Sequence, residues 1–473
     1  ETLSADRIIN DLTLKSGAQI DLQNNELTLG GSSTIETPLG SASAITGNGN
    51  LVVGAPGTTP ATLSILGTTN FTGTTLIKSD TTVRLDASEG LRGSSAITVE
   101  NGGTLVNDTV GTEIDAIDVQ NGGTLELNET LFIGSDKGTS TIAGKLDSNS
   151  GNNGLVIKGD TTISSQNDDF VGSTQIRDGA GLTLTATGAI GAPDDPNFSD
   201  VTVEPGSSLT IQANDAINPD RKLVLESMAF KGSILSYNGS TLFLEADQKV
   251  AELSTQAEST ITINAGNTLT VNTAAEANDG NLSGSITGSG NFTFSGDGKL
   301  YIAVDEEFGP ARGGTTDFTG QTLVNGGGTL YLQSQSALGG TRSIYITNGS
   351  LVVVEDATNA FNPLADITID NSGTGTARLQ LDSDQTIKGN VVGDGTFSIT
   401  DGTTTIESAG RVETGLTAGN AITLINNGTI SSSQETVATT VDGSDNSTAH
   451  DLKITNAGTI EATVNNDALY LRD

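Results

Sequence analysis

The chain has 473 residues, of which 34% are hydrophobic, 4% aromatic and 16% charged, with 60 glycines and no cysteine. This composition excludes a compact core of large side chains, disulfides, thiolate metal sites and cysteine nucleophiles. Its 21 basic and 57 acidic residues leave a net charge of −36, which repels nucleic-acid phosphates and anionic membrane surfaces, and no apolar run reaches the roughly 18–20 residues of a membrane helix.

Low hydrophobicity alone would suit a disordered chain, but disordered chains are poor in β-branched residues and this one is rich in Thr, Ile and Val. Short alternating stretches start at once, with "LTLKSGAQIDL" at 12–22, and recur as "IDVQNGGTLEL" at 117–127 and "ITINAGNTLTV" at 261–271. Each is apolar-x-apolar, a turn of Asn, Gly or Ser, then apolar-x-apolar: two short strands with one buried face around a turn that tolerates positive φ. A second element, "ITGNGNLVV" at 45–53, returns as "ITGSGNFTF" at 286–294 and "VVGDGTFSI" at 391–399.

A longer unit appears at 70–93 ("NFTGTTLIKSDTTVRLDASEGLRG"), 169–191 ("DFVGSTQIRDGAGLTLTATGAIG") and 317–340 ("DFTGQTLVNGGGTLYLQSQSALGG"). Aligned on Phe71, Phe170 and Phe318, the units place Leu91, Ile190 and Leu338 at one and the same interval downstream. "ITVENGGTL" at Ile97 and "IYITNGSL" at Ile344 also follow their Phe at equal intervals. "VTVEPGSSL" begins late, at Val201, so the middle unit carries a five-residue insertion within "APDDPNFSD" at 192–200. Near the C-terminus "INNGTI" and "ITNAGTI" repeat one another, ending at Ile430 and Ile460.

Dense short strands of this kind predict an all-β fold, a right-handed parallel β-helix of pectin-lyase-like architecture, in which each strand pairs with its equivalent one coil on. At about 20–25 residues per coil the chain would make about twenty coils. It is read as a single β-helix domain over 1–473, with a less regular segment or protrusion at about 212–259 that holds the only methionine, Met228.

The stretch "ITGSGNFTFSGDGKLYIA", followed by "TTDFTGQTLVNGGGTLYLQSQSALGG" and "IYITNGSLVV", resembles the passenger-associated transport repeat of bacterial autotransporters. That pattern runs GSG-x-L, GxGxL-x-L, aromatic-x-GGTTV, GTL-x-L, ALG, then V-x-V-x-x-G-x-L; here its doubled glycine is reduced to a single Gly73, Gly172 or Gly320. The resemblance implies a passenger domain cut from a longer precursor whose signal peptide and membrane barrel are not in this chain. It also implies export to the surface of a Gram-negative cell, or release. Passengers include adhesins, aggregation factors, proteases, esterases and toxins.

Candidate chemistry is sparse. The one histidine, His450, lies in a polar stretch without a G-x-S-x-G nucleophile segment, so a serine hydrolase is not expected. Polysaccharide hydrolysis would need carboxylates alone, and Asp168 with Asp169, Asp194 with Asp195, and Asp305, Glu306 and Glu307 near Arg312 offer them. Neighbours on one strand point to opposite faces and cannot form a catalytic couple by themselves. "GDGKL" at Gly296 and "GDGTF" at Gly393 read as turns rather than calcium sites, and the Gly-x-Gly patterns lack the helix and lysine of a phosphate loop.

The chain is therefore expected to be non-catalytic, without cofactor or metal, and to act as a surface adhesin or a cell-cell aggregation and biofilm factor. A β-helix polysaccharide-degrading enzyme and a released effector acting on host cells are the alternatives. The expected partners are a host-cell or matrix glycan or protein, or a neighbouring passenger; nucleic acid and membrane insertion are not. Arg221, Lys222, Phe230 and Tyr237, which bring rare basic and aromatic groups together, are the candidate ligand or partner surface, with the insertion at 192–196 as a second departure from the repeat.

Overall fold

A computed structural model describes residues 1–36, 44–54, 60–134, 138–148, 153–191, 200–226, 239–275, 279–302, 317–355, 357–371, 373, 375–418, 423–432, 437–440, 453–462 and 470–472. Among the described residues there is no helix, and parallel strands stack as a β-solenoid of about 16 turns. Two compact units divide it, the first formed by Glu1–Glu226 with Ser240–Leu242, the second by Ser227–Gly239 with Phe243–Asp473.

In the first unit one ladder runs from Arg7–Ile9 through Leu27–Leu29, Leu51–Val53, Thr74–Ile77, Ala96–Val99, Ile117–Val119, Ser140–Ile142, Thr161–Ile163 and Gly181–Leu184 to Ser208–Ile211. Alternation puts every second side chain inward, and parallel pairing sets like on like. Leu29, Val53, Ile77, Val99, Val119, Ile142, Ile163, Leu184 and Ile211 form one unbroken, fully buried column. Each such aliphatic contributes about 1.5–3 kcal/mol by leaving water. The outward column is polar, with Thr98, Asp118, Thr141, Thr162, Thr183 and Thr210 in successive coils. Three further ladders run through the first unit's coils, one including Thr104–Asn107, Thr124–Leu127 and Lys145–Ser148, another Leu131–Ile133, Leu155–Ile157 and Thr174–Ile176, and a short one Ile20–Asp21, Ile45–Gly47 and Asn70–Phe71.

The second unit follows the same rule. Val271, Phe294, Val324, Ile346 and Ile369 stack inward along one face, and Leu300, Leu330, Val352, Leu379 and Phe397 along another. Ile430 pairs with Ile460, as the recurrence of the two C-terminal motifs predicts.

The three long repeats occupy equivalent places. Phe71, Phe170 and Phe318 are fully buried, as are Leu91, Ile190 and Leu338. The glycine that follows each Phe at the second position is obligatory, because a Cβ there would lie 2.0, 1.8 or 1.7 Å from a backbone carbonyl of the preceding coil at Gly73, Gly172 and Gly320 respectively. Thr75 pairs with Ile97 and Thr322 with Ile344, equal steps along the chain, whereas Thr174 has to reach on to Val201. The register thus contains the insertion. Coil length is more variable than a uniform repeat implies: Val412 finds its partner already at Ile430, while Phe292 finds its own only at Thr322. The turns number about 16, against the about twenty expected from the repeat length.

In the first repeat the Ser94 hydroxyl donates to the Gly73 carbonyl at 3.2 Å and meets Thr75 Oγ1 at 2.9 Å. In the third, Thr341 donates to Gly320 at 3.0 Å and meets Thr322 at 3.0 Å. In the middle repeat the equivalent position lies outside the described residues, and Thr174 Oγ1 is buried without a partner. The Gly172 carbonyl accepts from Arg221 Nη1 at 2.8 Å, while Nη2 donates to the Phe170 carbonyl at 3.0 Å and the guanidinium lies 5.6 Å from the Phe170 ring centroid. Arg221 is completely buried, and desolvation pushes its pKa down to about 10, against the pull of Asp200; it remains charged at neutral pH.

Replacing Phe318 by Ala should cost about 3–5 kcal/mol, because the cavity sits between rigid ladders. Replacing Arg221 by Met should cost on the order of 3 kcal/mol by leaving two buried carbonyls without donors. Hydrogen exchange checks both, with protection lost first in the coils around the altered residue. Protection unchanged at Thr174–Ile176 in the Arg221 variant would show that its hydrogen bonds do not stabilise that repeat.

Candidate functional site

Inward side chains fill the coils, so ligand contact has to be sought on outer faces and at corners. One corner of the first unit is cut back. Between Ile117–Val119 and Thr124–Leu127 the chain turns through four residues, but one coil later, between Ser140–Ile142 and Lys145–Ser148, it turns through two, Ala143 and Gly144. Pairing resumes regardless: the Ala143 and Gly144 amides both donate to the Val119 carbonyl, at 2.8 and 3.0 Å, and the Lys145 amide donates to the Gly123 carbonyl at 2.8 Å. Gly144 is required here, since a Cβ would stand 2.3 Å from the Gly123 carbonyl oxygen.

The missing residues leave a shallow, open notch of about 610 Å3. Ala143 and Gly144 form its floor, Asn121 and Gly122 one wall, Ser164, Ser165 and Gln166 the other, with Lys145 alongside. The far wall is held from below by Asn167, which is buried, accepts from the Leu146 amide at 2.8 Å and donates to the Ala189 carbonyl at 2.8 Å. Ser165 donates to the Ile142 carbonyl at 3.3 Å, fixing the wall against the floor.

Three carboxylates orient the polar groups. Lys145 Nζ lies 2.8 Å from Asp147 and 2.7 Å from Asp169, and Gln166 Nε2 donates to both oxygens of Asp168 at 2.9 and 3.1 Å. The hydrogen bond to Asp147 and then that to Asp169 push the Lys145 pKa up to about 12, so it is charged throughout the physiological range. The adjacent Asp168 and Asp169 have separate partners, as expected for neighbours that cannot act as one couple.

Of the surface expected from the sequence, two residues are among those described. Arg221 is a correction: it is fully buried beneath Phe170 and serves the core, where its guanidinium donates to the Gly172 and Phe170 carbonyls. Lys222 is half-buried on the strand Lys222–Leu225. Phe230, Tyr237, Met228, the insertion at 192–196, Asp194, Asp195, Asp305, Glu306, Glu307, Arg312 and His450 lie outside the described residues. The aspartates of the two Gly-Asp-Gly turns accept backbone amides, Asp297 from Ala275 and Asp394 from Asn371, both at 2.8 Å.

Other outer-face groups have structural partners. Lys158 reaches across two coils to Glu113 at 2.9 Å and passes 5.0 Å from the Phe132 ring centroid, clamping three strands. In the second unit Tyr301 and Tyr331 stack at 4.5 Å with an interplanar angle of 8°, covering one another's facing ring surfaces. Glu204 accepts from Gln175 at 2.6 Å, and burial beside Glu204 holds the Glu226 carboxyl above its usual range. Among the described residues no group of three or more His, Asp or Glu side chains could hold a metal ion.

Comparison with protein-family models and with curated proteins finds no match to this chain.

An NMR titration of the Lys145 side chain should give a midpoint near 12 rather than 10.5. Asp147→Asn should lower it more than Asp169→Asn. Because the folded-state value is raised, the cluster's contribution to stability is present below about pH 10.5 and lost as pH rises through about 12, and solvent screens it, since the side chain is 45% exposed. A midpoint of 10.5 in the intact protein would mean that the ion pairs do not persist in solution.

Proposed function

We propose that the chain is a non-catalytic recognition module, the passenger of an autotransporter, acting at the cell surface as an adhesin or a cell-cell aggregation factor. One observation carries this reading. The coils are filled by stacked aliphatic columns, so recognition falls to the outer faces and corners, where the described residues form a shallow polar notch. Adhesion needs only an extended, rigid, soluble surface. The repeat pattern around Phe71, Phe170 and Phe318 supports the passenger assignment, and a right-handed, pectin-lyase-like winding goes with it. A net charge of −36 keeps the surface hydrated and discourages nonspecific self-association, so aggregation would have to proceed through specific contacts.

Cells displaying the protein should adhere to host cells or matrix, or to one another, more than matched cells without it. The purified chain, incubated with a polysaccharide panel, should release neither reducing ends nor unsaturated products. Product release by purified protein would overturn the non-catalytic reading, and unchanged adhesion and aggregation at normal surface levels would overturn the adhesin reading.

A further inference from the structure

We infer that the corner notch of the first unit is a binding site for an uncharged, hydroxyl-rich glycan. This rests on the recognition-module reading and names the ligand class for it. The notch has the volume of a small-molecule site, within the roughly 300–1,000 Å3 such sites span, yet its lining differs from the usual apolar one. Its side chains are an amide at Asn121, an amide at Gln166, hydroxyls at Ser164 and Ser165 and the ammonium of Lys145. Carbohydrate hydroxyls both donate and accept, and this set offers both functions. The Ala143 methyl and the Gly144 Cα leave a small apolar floor against which the C–H face of a sugar ring can lie.

Charge decides which glycan. Asp147, Asp168 and Asp169 stand around a single Lys145, and both Asp147 and Asp169 are already bound to it. The local excess is negative on a chain that is itself strongly acidic, so a ligand bearing carboxylate or sulfate is repelled while a neutral one is not. The walls are already ordered: Asn167 ties three successive coils under Gln166, and Asp168 holds the Gln166 amide in place. Binding therefore orders few new side chains.

The test uses the full purified chain with lactose, cellotetraose, chitotetraose and mannotetraose as neutral probes, and 3′-sialyllactose and tetragalacturonate as carboxylated ones. Saturation-transfer NMR and calorimetry are the readouts. At least one neutral probe should bind, with each carboxylated probe at least about tenfold weaker. Ala143→Leu, which fills the floor, and Gln166→Ala, which removes a wall donor and acceptor, should each weaken neutral binding about tenfold or more with unchanged circular dichroism and melting. Asp168→Asn, which keeps the shape and removes a charge, should narrow the gap between neutral and carboxylated probes. Neutral binding that ignores both notch variants, carboxylated probes that bind as well as neutral ones, or no neutral binding at millimolar concentration would each overturn the site. Surface-displayed variants separate the two proposals. Loss of glycan binding with adhesion retained removes the notch alone, whereas glycan binding by a protein that confers no adhesion removes the adhesin role.

Discussion

Each coil must give its backbone hydrogen bonds to the next, and the rest of the structure depends on that requirement. In a parallel ladder the amides and carbonyls of one strand are satisfied only if the following coil returns to the same place, so a residue's environment is set by its equivalents above and below. The column from Leu29 to Ile211 is the outcome: nine inward positions, all medium aliphatics, all fully buried. A narrow core filled this way has little use for large rings, which is why a chain with only 4% aromatic residues can still be well packed. Three of its phenylalanines, Phe71, Phe170 and Phe318, stand where the chain makes a close approach to the coil before, and the glycines that follow them permit that approach.

What can be read from the sequence is what the ladder constrains. The Phe-to-Leu spacing, the obligatory glycines and the five-residue insertion are all visible in the letters, because pairing with a fixed partner forces the letters to recur. Arg221 misleads for the complementary reason. An arginine among polar residues on an acidic chain suggests a surface, and nothing local reveals that its guanidinium returns to the carbonyls of a coil well upstream. It reaches the Gly172 carbonyl, donating where Ser94 and Thr341 donate in the other repeats. The notch is equally hidden. Its signal is a turn of two residues in "STIAGKLDS" against four in "IDVQNGGTLEL", and a difference in turn length has no meaning until Val119 is known to pair with Ile142 and Thr124 with Lys145.

Outward positions obey a looser rule. A side chain there must suit a pleated, half-exposed surface, and Thr meets that need at Thr98, Thr141, Thr162, Thr183 and Thr210 without implying any role beyond it. Some outward apolar groups are covered, while others, Ile8, Phe243 and Tyr345 among them, stay exposed. Lys158 lies over Phe132, and Tyr301 and Tyr331 cover each other. Face-to-face stacking takes one face of each ring away from any ligand, which suits a structural ladder better than a platform for a sugar ring. Composition alone favours the opposite choice, since rare aromatics are the usual first guess for a glycan site.

Corners are the remaining source of individuality, and they differ in kind. A corner can gain residues, as between Thr174 and Val201, or lose them, as at Ala143 and Gly144. A gained loop offers more side chains, but each residue ordered on binding costs roughly 1–2 kcal/mol of backbone freedom. A lost turn offers fewer side chains, and Lys145, Ser165 and Gln166 among them already have partners on the coils around it. Asn167 shows how far that fixing goes: one buried amide holds Leu146 on one coil and Ala189 on another, and the wall of the notch rests on it. A solenoid that recognises a small, flexible, weakly binding ligand such as a glycan gains more from such a rigid deletion than from an insertion, because little of the modest binding energy then goes into ordering the protein.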